Sequence, residues 1–246
     1  MTPRQRLDVS LVDRGLVESR EKAQALIIAG EVTVNGQKAQ KPGQAVNAQA
    51  QISIAQPLRY VSRGGLKLEA ALREFCVPVS DKVCLDVGTS TGGFTDCLLQ
   101  HGARKVHCVD TGAGQIDWRL RTDPRVILHE RTNARYLKFA DIGEPIDLIA
   151  CDVSFISVTL LLPALGPLLR ADGDWIILVK PQFEVGKTQV GKGGIVRDPA
   201  LHALACERVA TALEDLGFST RTIDSPILGT EGNREFLLHA RVRSDA

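Results

Sequence analysis

Apolar residues in the first thirty positions recur at helical spacing. Leu7, Leu11 and Val12 make one stripe, and Gly15 is placed to end that helix. Ser19 stands as the N-cap of a second helix with Lys22 in its first turn. Ala23, Leu26 and Ile27 form its apolar face, and Gly30 closes it. The period then changes to two. Glu31-Val32-Thr33-Val34-Asn35-Gly36-Gln37-Lys38 alternates and turns at Asn-Gly, where both residues tolerate positive φ, so it predicts a β-hairpin. Residues 50–54 alternate again and predict a further short strand. From about residue 80, apolar runs of strand length alternate with helical segments. Strands are predicted at Val83–Val87, 106–110, Val126–His129, 148–152 and 175–180, then near 220–223 and at 235–242; the clearest helix is 200–216. Such alternation predicts βαβ units and a parallel sheet. The chain therefore divides into a small α+β module over residues 1–56, a linker over 57–63 and an α/β body over 64–246.

Charge sharpens this division where bulk composition does not. The net charge of +1 over 246 residues points to no particular partner. Residues 1–60, however, hold eight Lys and Arg against five Asp and Glu, while the remainder holds 22 against 24. A basic module on a near-neutral body hints at an anionic partner for the module. The most apolar stretch, 160–169, is short and broken by Pro163 and Pro167, so it cannot span a bilayer. No apolar leader follows Met1-Thr2-Pro3-Arg4-Gln5-Arg6. Cys76, Cys84, Cys97, Cys108, Cys151 and Cys206 include no C-x-x-C pair and no metal-type cluster with histidine. They read as reduced thiols of a cytoplasmic protein without a metal.

The chemistry begins at Val83-Cys84-Leu85-Asp86-Val87-Gly88-Thr89-Ser90-Thr91-Gly92-Gly93-Phe94. This is a strand running into a glycine-rich turn and a helix, where a ligand can approach the backbone closely. Gly88, Thr89, Ser90, Gly92, Gly93 and Phe94 are the expected cradle. Asp110, at the end of the next strand, is positioned to accept hydrogen bonds from ribose hydroxyls. The spacing is not G-x-G-x-x-G, and Asp86 before the first glycine would repel a pyrophosphate. It suits a zwitterionic ligand with an ammonium and a sulfonium, so Asp86 is expected near a methionine moiety and Asn133 near an adenine. Gly186-Lys187-Thr188 only mimics a phosphate-binding loop, because position 181 is proline where that motif needs glycine.

Asp152 and Lys180 end the fourth and fifth strands, which puts both at the carboxyl edge of the sheet beside the cofactor crevice. Charged residues directly after apolar strands are costly unless paired or used. Lys67, just before the body, and Glu235, at the last strand, are candidates to join them. The loop 182–197 is glycine-rich and carries Lys187, Lys192 and Arg197, which suits a mobile loop closing over a nucleic-acid strand.

These features carry two resemblances. Arg6-Leu7-Asp8, Ser19-Arg20, Ala23, Ile28, Gly30, Val32, Val34-Asn35-Gly36 and Lys41-Pro42-Gly43 resemble the S4-type RNA-binding module. Arg4, Arg6, Arg20, Lys22 and Lys38, with Arg63 beyond, would then meet phosphates. D-x-G-x-x-x-G-G followed by a ribose-binding acid resembles the methyltransferase form of the Rossmann-like fold. Lys67, Asp152, Lys180 and Glu235 resemble the tetrad of FtsJ-like ribose 2′-O-methyltransferases. Val61-Ser62-Arg63-Gly64-Gly65, Asp152-Val153-Ser154-Phe155, Val179-Lys180-Pro181-Gln182-Phe183-Glu184 and Gly191-Lys192-Gly193-Gly194-Ile195-Val196-Arg197-Asp198 extend the likeness to the hemolysin A/TlyA family of rRNA 2′-O-methyltransferases. The resemblance implies a mostly parallel seven-stranded sheet behind a small S4-like domain. It also implies S-adenosylmethionine as cofactor, with Asp152 beside it, and rRNA or a ribosomal subunit as partner, the target being a cytidine ribose.

In that chemistry a ribose hydroxyl must lose its proton as it attacks the sulfonium methyl. A lysine takes the proton only when neutral, and its ordinary pKa is about 10.4. The implied roles are Lys180 as base, Lys67 as helper and hydroxyl positioner, and Asp152 and Glu235 as groups that orient the amines. Base-amine methylation fits less well, because Asp152-Val153-Ser154-Phe155 lacks the prolines of its motif; cytosine-carbon methylation would need a Pro-Cys pair, which is absent. A non-catalytic RNA-binding assembly factor, a membrane-active hemolysin and a small-molecule methyltransferase remain as rival readings.

Overall fold

The computed structural model describes residues 4–54, 59–229 and 232–243. The fold divides into two compact units, Met1–Leu58 and Arg59–Ala246. In the first, β1 (Arg4–Arg6) leads into α1 (Leu7–Asp13), and α2 (Arg20–Ile28) follows. Ser19 Oγ caps α2 by accepting from Lys22 N at 3.2 Å. Gly15 and Gly30, at φ +67° and +74°, end the two helices. β2 (Val32–Val34) and β3 (Gln37–Lys38) form the hairpin across Asn35 and Gly36, at φ +51° and +79°. β4 (Ala45–Asn47) pairs with β1, and β5 (Ile52–Ile54) with β2, both antiparallel. Leu7, Leu11, Ala23, Ile27, Val32 and Val46 bury the small core. Residues 4–6, just ahead of the first helix's apolar stripe, form a strand. Arg-Gln-Arg exposes all three side chains, so no apolar alternation betrays it.

In the second unit α3 (Gly64–Glu74) precedes β6 (Val83–Val87), α4 (Gly93–Gln100), β7 (Lys105–Val109), α5 (Trp118–Arg121) and β8 (Val126–His129). α6 (Phe139–Ile142), β9 (Ile146–Cys151), α7 (Leu162–Leu165), β10 (Leu169–Val179) and α8 (Pro181–Glu184) follow. α9 (Pro199–Glu214), β11 (Phe218–Asp224) and β12 (Phe236–Val242) complete the order. The strands form one seven-stranded sheet in the order β11-β12-β10-β9-β6-β7-β8. β12 runs antiparallel to both neighbours, and the other pairings are parallel. The expected α/β class and mostly parallel sheet are thus what the chain adopts. Leu68, Leu72 and Leu98 pack on one face, and Leu162, Leu165, Val209 and Leu213 on the other. The order reverses between β6 and β9, so the ligand crevice of such a sheet falls beyond their carboxyl ends.

β10 starts six residues earlier than the apolar pattern indicates. Its polar stretch Arg170-Ala171-Asp172-Gly173 is exposed up to Asp172, and the register with β9 shifts between Leu169 and Asp174. Pro57 and Leu58 of the expected linker lie outside the described residues, but 59–63 is packed chain. Tyr60 is 2 % exposed in the core with Leu68 and Phe94. A Cβ at Gly65 would stand 2.3 Å from its ring, so glycine there makes room for the tyrosine. Among the described residues no helix is long and apolar enough to cross a membrane.

Candidate active site

Gly88 sits where β6 and β9 end together. Its φ is +85°, and a Cβ there would lie 2.3 Å from the Asp152 carbonyl oxygen. Only glycine lets these two strand ends meet. Ser90, also at positive φ, donates its backbone N–H to Asp110 Oδ2 at 2.8 Å, and Gly112 N donates to Oδ1 at 2.7 Å. The Asp110 carboxylate is therefore oriented from the protein side before any ligand arrives. Gly88, Ser90, Asp110, Asn133, Asp152 and Phe155 are among the residues lining a trough of about 450 Å³.

Beside the trough, Lys67, Asp152, Lys180 and Glu235 line a second cavity of about 240 Å³, together with Arg63, Thr89, Gly93 and Phe94. Strand register brings the four together. β9 and β10 are parallel neighbours with Cys151 opposite Ile177, so Asp152 and Lys180 leave the sheet at the same edge. β12 enters antiparallel with Phe236 opposite Val179, which sets Glu235, one residue earlier, across from Lys180. Lys67 reaches in from α3 and ion-pairs with Glu235; the two residues are 8 % and 5 % exposed. Lys180 Nζ lies 2.6 Å from Asp152 Oδ1 and donates to Ser154 Oγ at 2.9 Å. A Cβ at Gly229 would come 2.5 Å from Glu235 Oε1, so glycine there leaves room for the carboxylate.

A third cavity, about 330 Å³, shares Lys180 and Glu235 with the second and Ser154 and Phe155 with the trough. Phe155 is 92 % exposed at φ +66°, its ring 5.4 Å from that of Phe183. A phenylalanine held in the left-handed region and turned out to water is strained and poorly placed for packing. The glycine-rich loop is rooted by Asn233, 1 % exposed, whose Oδ1 accepts from Val196 N and whose Nδ2 donates to Gly194 O, each at 2.9 Å.

The match to known families covers both units. The model of the FtsJ-like methyltransferases matches residues 60–242, and that of the S4 domain matches residues 5–52. The chain belongs to the FtsJ-like methyltransferase family. It is 46 % identical over 248 positions to the 16S/23S rRNA (cytidine-2′-O)-methyltransferase TlyA of Mycobacterium tuberculosis, covering 100 % of this chain and 92 % of that protein. It is 44 % identical to Hemolysin A of Brachyspira hyodysenteriae, covering 95 % and 98 %. A solved structure described as a hemolysin of Streptococcus thermophilus shares 43 % identity at a TM-score of 0.75, covering 100 % of this chain and 92 % of that one.

Within this FtsJ-like methyltransferase about half of the residues singled out from sequence meet at the three cavities, and the others do not. Gly92, at φ +94°, lies off the cavity walls; a Cβ there would strike Leu120 at 2.4 Å, so its smallness serves the packing of α5. Arg6 and Arg20 both grip the fully buried Asp8, at 2.9 and 3.0 Å, and brace α1 against α2. Arg4, Lys22, Lys38, Arg63, Lys187, Lys192 and Arg197 are exposed and take part in no ion pair among the described residues. In the sequence Phe155 is only part of the Asp152-Val153-Ser154-Phe155 motif; its conformation is what singles it out.

Asp86 lies beneath the turn and off the cavity walls. It is fully buried, Oδ2 accepting from Thr95 Oγ1 at 2.6 Å and Oδ1 without a partner. Burial, reinforced by the charges of Asp152 and Asp110 and opposed by the Thr95 hydroxyl, pushes its carboxyl up to about 7. The folded value lies above the unfolded one, so the stability it contributes is complete below the ordinary carboxylate range and is lost as pH rises through about 7. Asp86→Asn is expected to raise the melting temperature at pH 8 and leave it unchanged at pH 4, the gain being roughly 4 kcal/mol at most. Thermal melts at the two pH values test this, and an equal difference at both would refute it.

Proposed function

We propose that the protein transfers a methyl group from S-adenosylmethionine to the 2′-hydroxyl of a ribose in rRNA, the target being a cytidine of the small- and/or large-subunit rRNA. The observation that carries this reading is the meeting of Lys67, Asp152, Lys180 and Glu235 in one cavity beside a trough with a ribose-type carboxylate. The relative from Mycobacterium tuberculosis, by its name a cytidine-2′-O-methyltransferase of 16S and 23S rRNA, supports it.

The trough suits the proposed donor. Both Asp110 oxygens keep lone pairs for ribose hydroxyls, and Asn133, whose Oδ1 accepts from Arg135 N at 3.0 Å, retains its amide N–H groups for an adenine. The orphaned Asp86 Oδ1 beneath the turn adds negative potential on the side expected to hold the amino-acid end. Bound there, S-adenosylmethionine supplies an activated methyl on a sulfonium.

The remaining work falls to the protein. Lys180 Nζ, as the neutral amine, accepts the proton of the attacking 2′-hydroxyl, which is a weak nucleophile until that proton leaves, and becomes the ammonium as the methyl passes from sulfur to oxygen. Asp152 Oδ1 at 2.6 Å and Ser154 Oγ at 2.9 Å fix the amine. Lys67, held by Glu235, positions the hydroxyl from the other wall. Alignment in a closed site supplies further rate. The S4 unit, Arg63 and the loop bearing Lys187, Lys192 and Arg197 hold RNA phosphates.

Transfer of labelled methyl to purified ribosomal subunits and free rRNA, followed by digestion to nucleosides, tests the reading. Label in 2′-O-methylcytidine is the expected result; label only in base-methylated nucleosides, or none, overturns it. Phe155 enters as the stacking surface for the target base turned out of its helix. Phe155→Ala is expected to lower kcat/KM for the RNA by about 10- to 100-fold, and Phe155→Tyr to preserve it. An alanine variant as fast as wild type would remove the ring from the account.

A further inference from the structure

The third cavity contains a polar group that the proposed chemistry does not use. Gln182 lines it, two residues beyond Lys180 on α8. Its Oε1 is shut off from solvent and accepts no hydrogen bond among the described residues. Two other glutamine carbonyls do find donors: Gln189 Oε1 accepts from Gly186 N at 2.8 Å, and Gln44 Oε1 from Gln40 N at 3.1 Å. A buried amide acceptor left without a donor is unfavourable, and it becomes favourable when a ligand brings the donor.

The position narrows what that ligand group is. A ribose whose hydroxyl meets Lys180 Nζ has its base directed into one of the spaces flanking that lysine. The tetrad cavity is walled by the charged groups of Lys67, Asp152, Lys180 and Glu235. The third cavity shares Lys180 and Glu235 with it but adds the rings of Phe155 and Phe183, the side chain of Val190, the Ser154 hydroxyl and the Gln182 amide. Two aromatic surfaces beside a neutral amide and a hydroxyl suit a nucleobase.

We propose that Gln182 is the specificity determinant for the target base, its Oε1 accepting a hydrogen bond from an exocyclic amine. This inference rests on the 2′-O-methylation reading and deepens it. The class selected is an amine-bearing base such as cytosine. Uracil would set a carbonyl oxygen against Oε1 and leave both acceptors unpaired.

The experiment measures kcat/KM on ribosomal RNA carrying the mapped target nucleotide as cytidine or as uridine, for wild type, Gln182→Leu and Gln182→Glu. Wild type is expected to prefer cytidine by about 10- to 100-fold. Gln182→Leu should lose that factor on cytidine alone, so that the ratio falls toward one, with S-adenosylmethionine affinity unchanged. Gln182→Glu keeps an acceptor in place and should keep the preference. A Gln182→Leu protein that retains the wild-type ratio, whatever its absolute rate, overturns the assignment, as does a wild type indifferent to the base. If wild type forms no 2′-O-methyl product on any RNA, the functional reading fails and this inference with it. Product with an unaltered ratio overturns this inference alone.

Discussion

Lys180→Ala is expected to lower kcat for methyl transfer by about a thousandfold while cofactor binding persists. The lysine stands at the junction of the tetrad cavity and the third cavity, 2.6 Å from Asp152 Oδ1 and bonded to Ser154 Oγ at 2.9 Å. It makes no contact with Asp110, which is held by Ser90 and Gly112. Alanine therefore removes the proposed proton acceptor and leaves Asp110 in place. The Asp152 side chain, 23 % exposed, regains water, so the fold should tolerate the change. Lys180→Arg separates two roles that the alanine variant merges. A guanidinium keeps the positive charge and the pairing with Asp152, but it does not give up a proton at any accessible pH. If Lys180 acts as the base, arginine is as inactive as alanine; if it supplies charge alone, arginine retains turnover. Single-turnover transfer with calorimetric cofactor binding reads both variants.

The positions of Asp152 and Lys180 were legible in the sequence because apolar runs fix where parallel strands end, and the carboxyl edge of such a sheet is where its ligands bind. Glu235 is less direct. Its place depends on β12 entering antiparallel, and no periodicity reveals strand direction; the family resemblance supplied it. Gly92 shows a limit of motif reading. The same glycine spacing serves the meeting of two strand ends at Gly88 and the packing of a helix at Gly92, and only the close contacts with Asp152 and Leu120 separate the two. Arg20 shows no partner in sequence because Asp8 is brought to it only by the folding of α1 onto α2, whereas Arg6 reaches the same carboxylate from two residues away. Asp86 was expected beside the ligand. A carboxylate at a strand end looks alike in sequence whether it faces a cavity or lies under a turn, and burial decides which. Phe155 and Gln182 carry no signal by residue type. A positive φ and an unpartnered oxygen are properties of the folded chain.

The pair Lys67 and Glu235 is where a structural ion pair and a catalytic one make opposite predictions. Both side chains are buried, so removing one charge strands the other. Lys67→Met is expected to cost about 3–5 kcal/mol, which for a body of this size lowers the melting temperature by roughly 6–20 °C. Replacing both, as Lys67→Met with Glu235→Leu, takes away the stranded charge, and apolar substitutes for a buried pair are commonly neutral or stabilising. The double variant should therefore melt near wild type. Its methyl transfer should still be lower by about 100-fold or more, because the hydroxyl has lost its positioning amine. Were the pair only a brace for α3 against the start of β12, the double variant would regain activity along with stability. Recovery of the melting temperature without recovery of turnover assigns Lys67 to the reacting ribose, and recovery of both removes it from the chemistry.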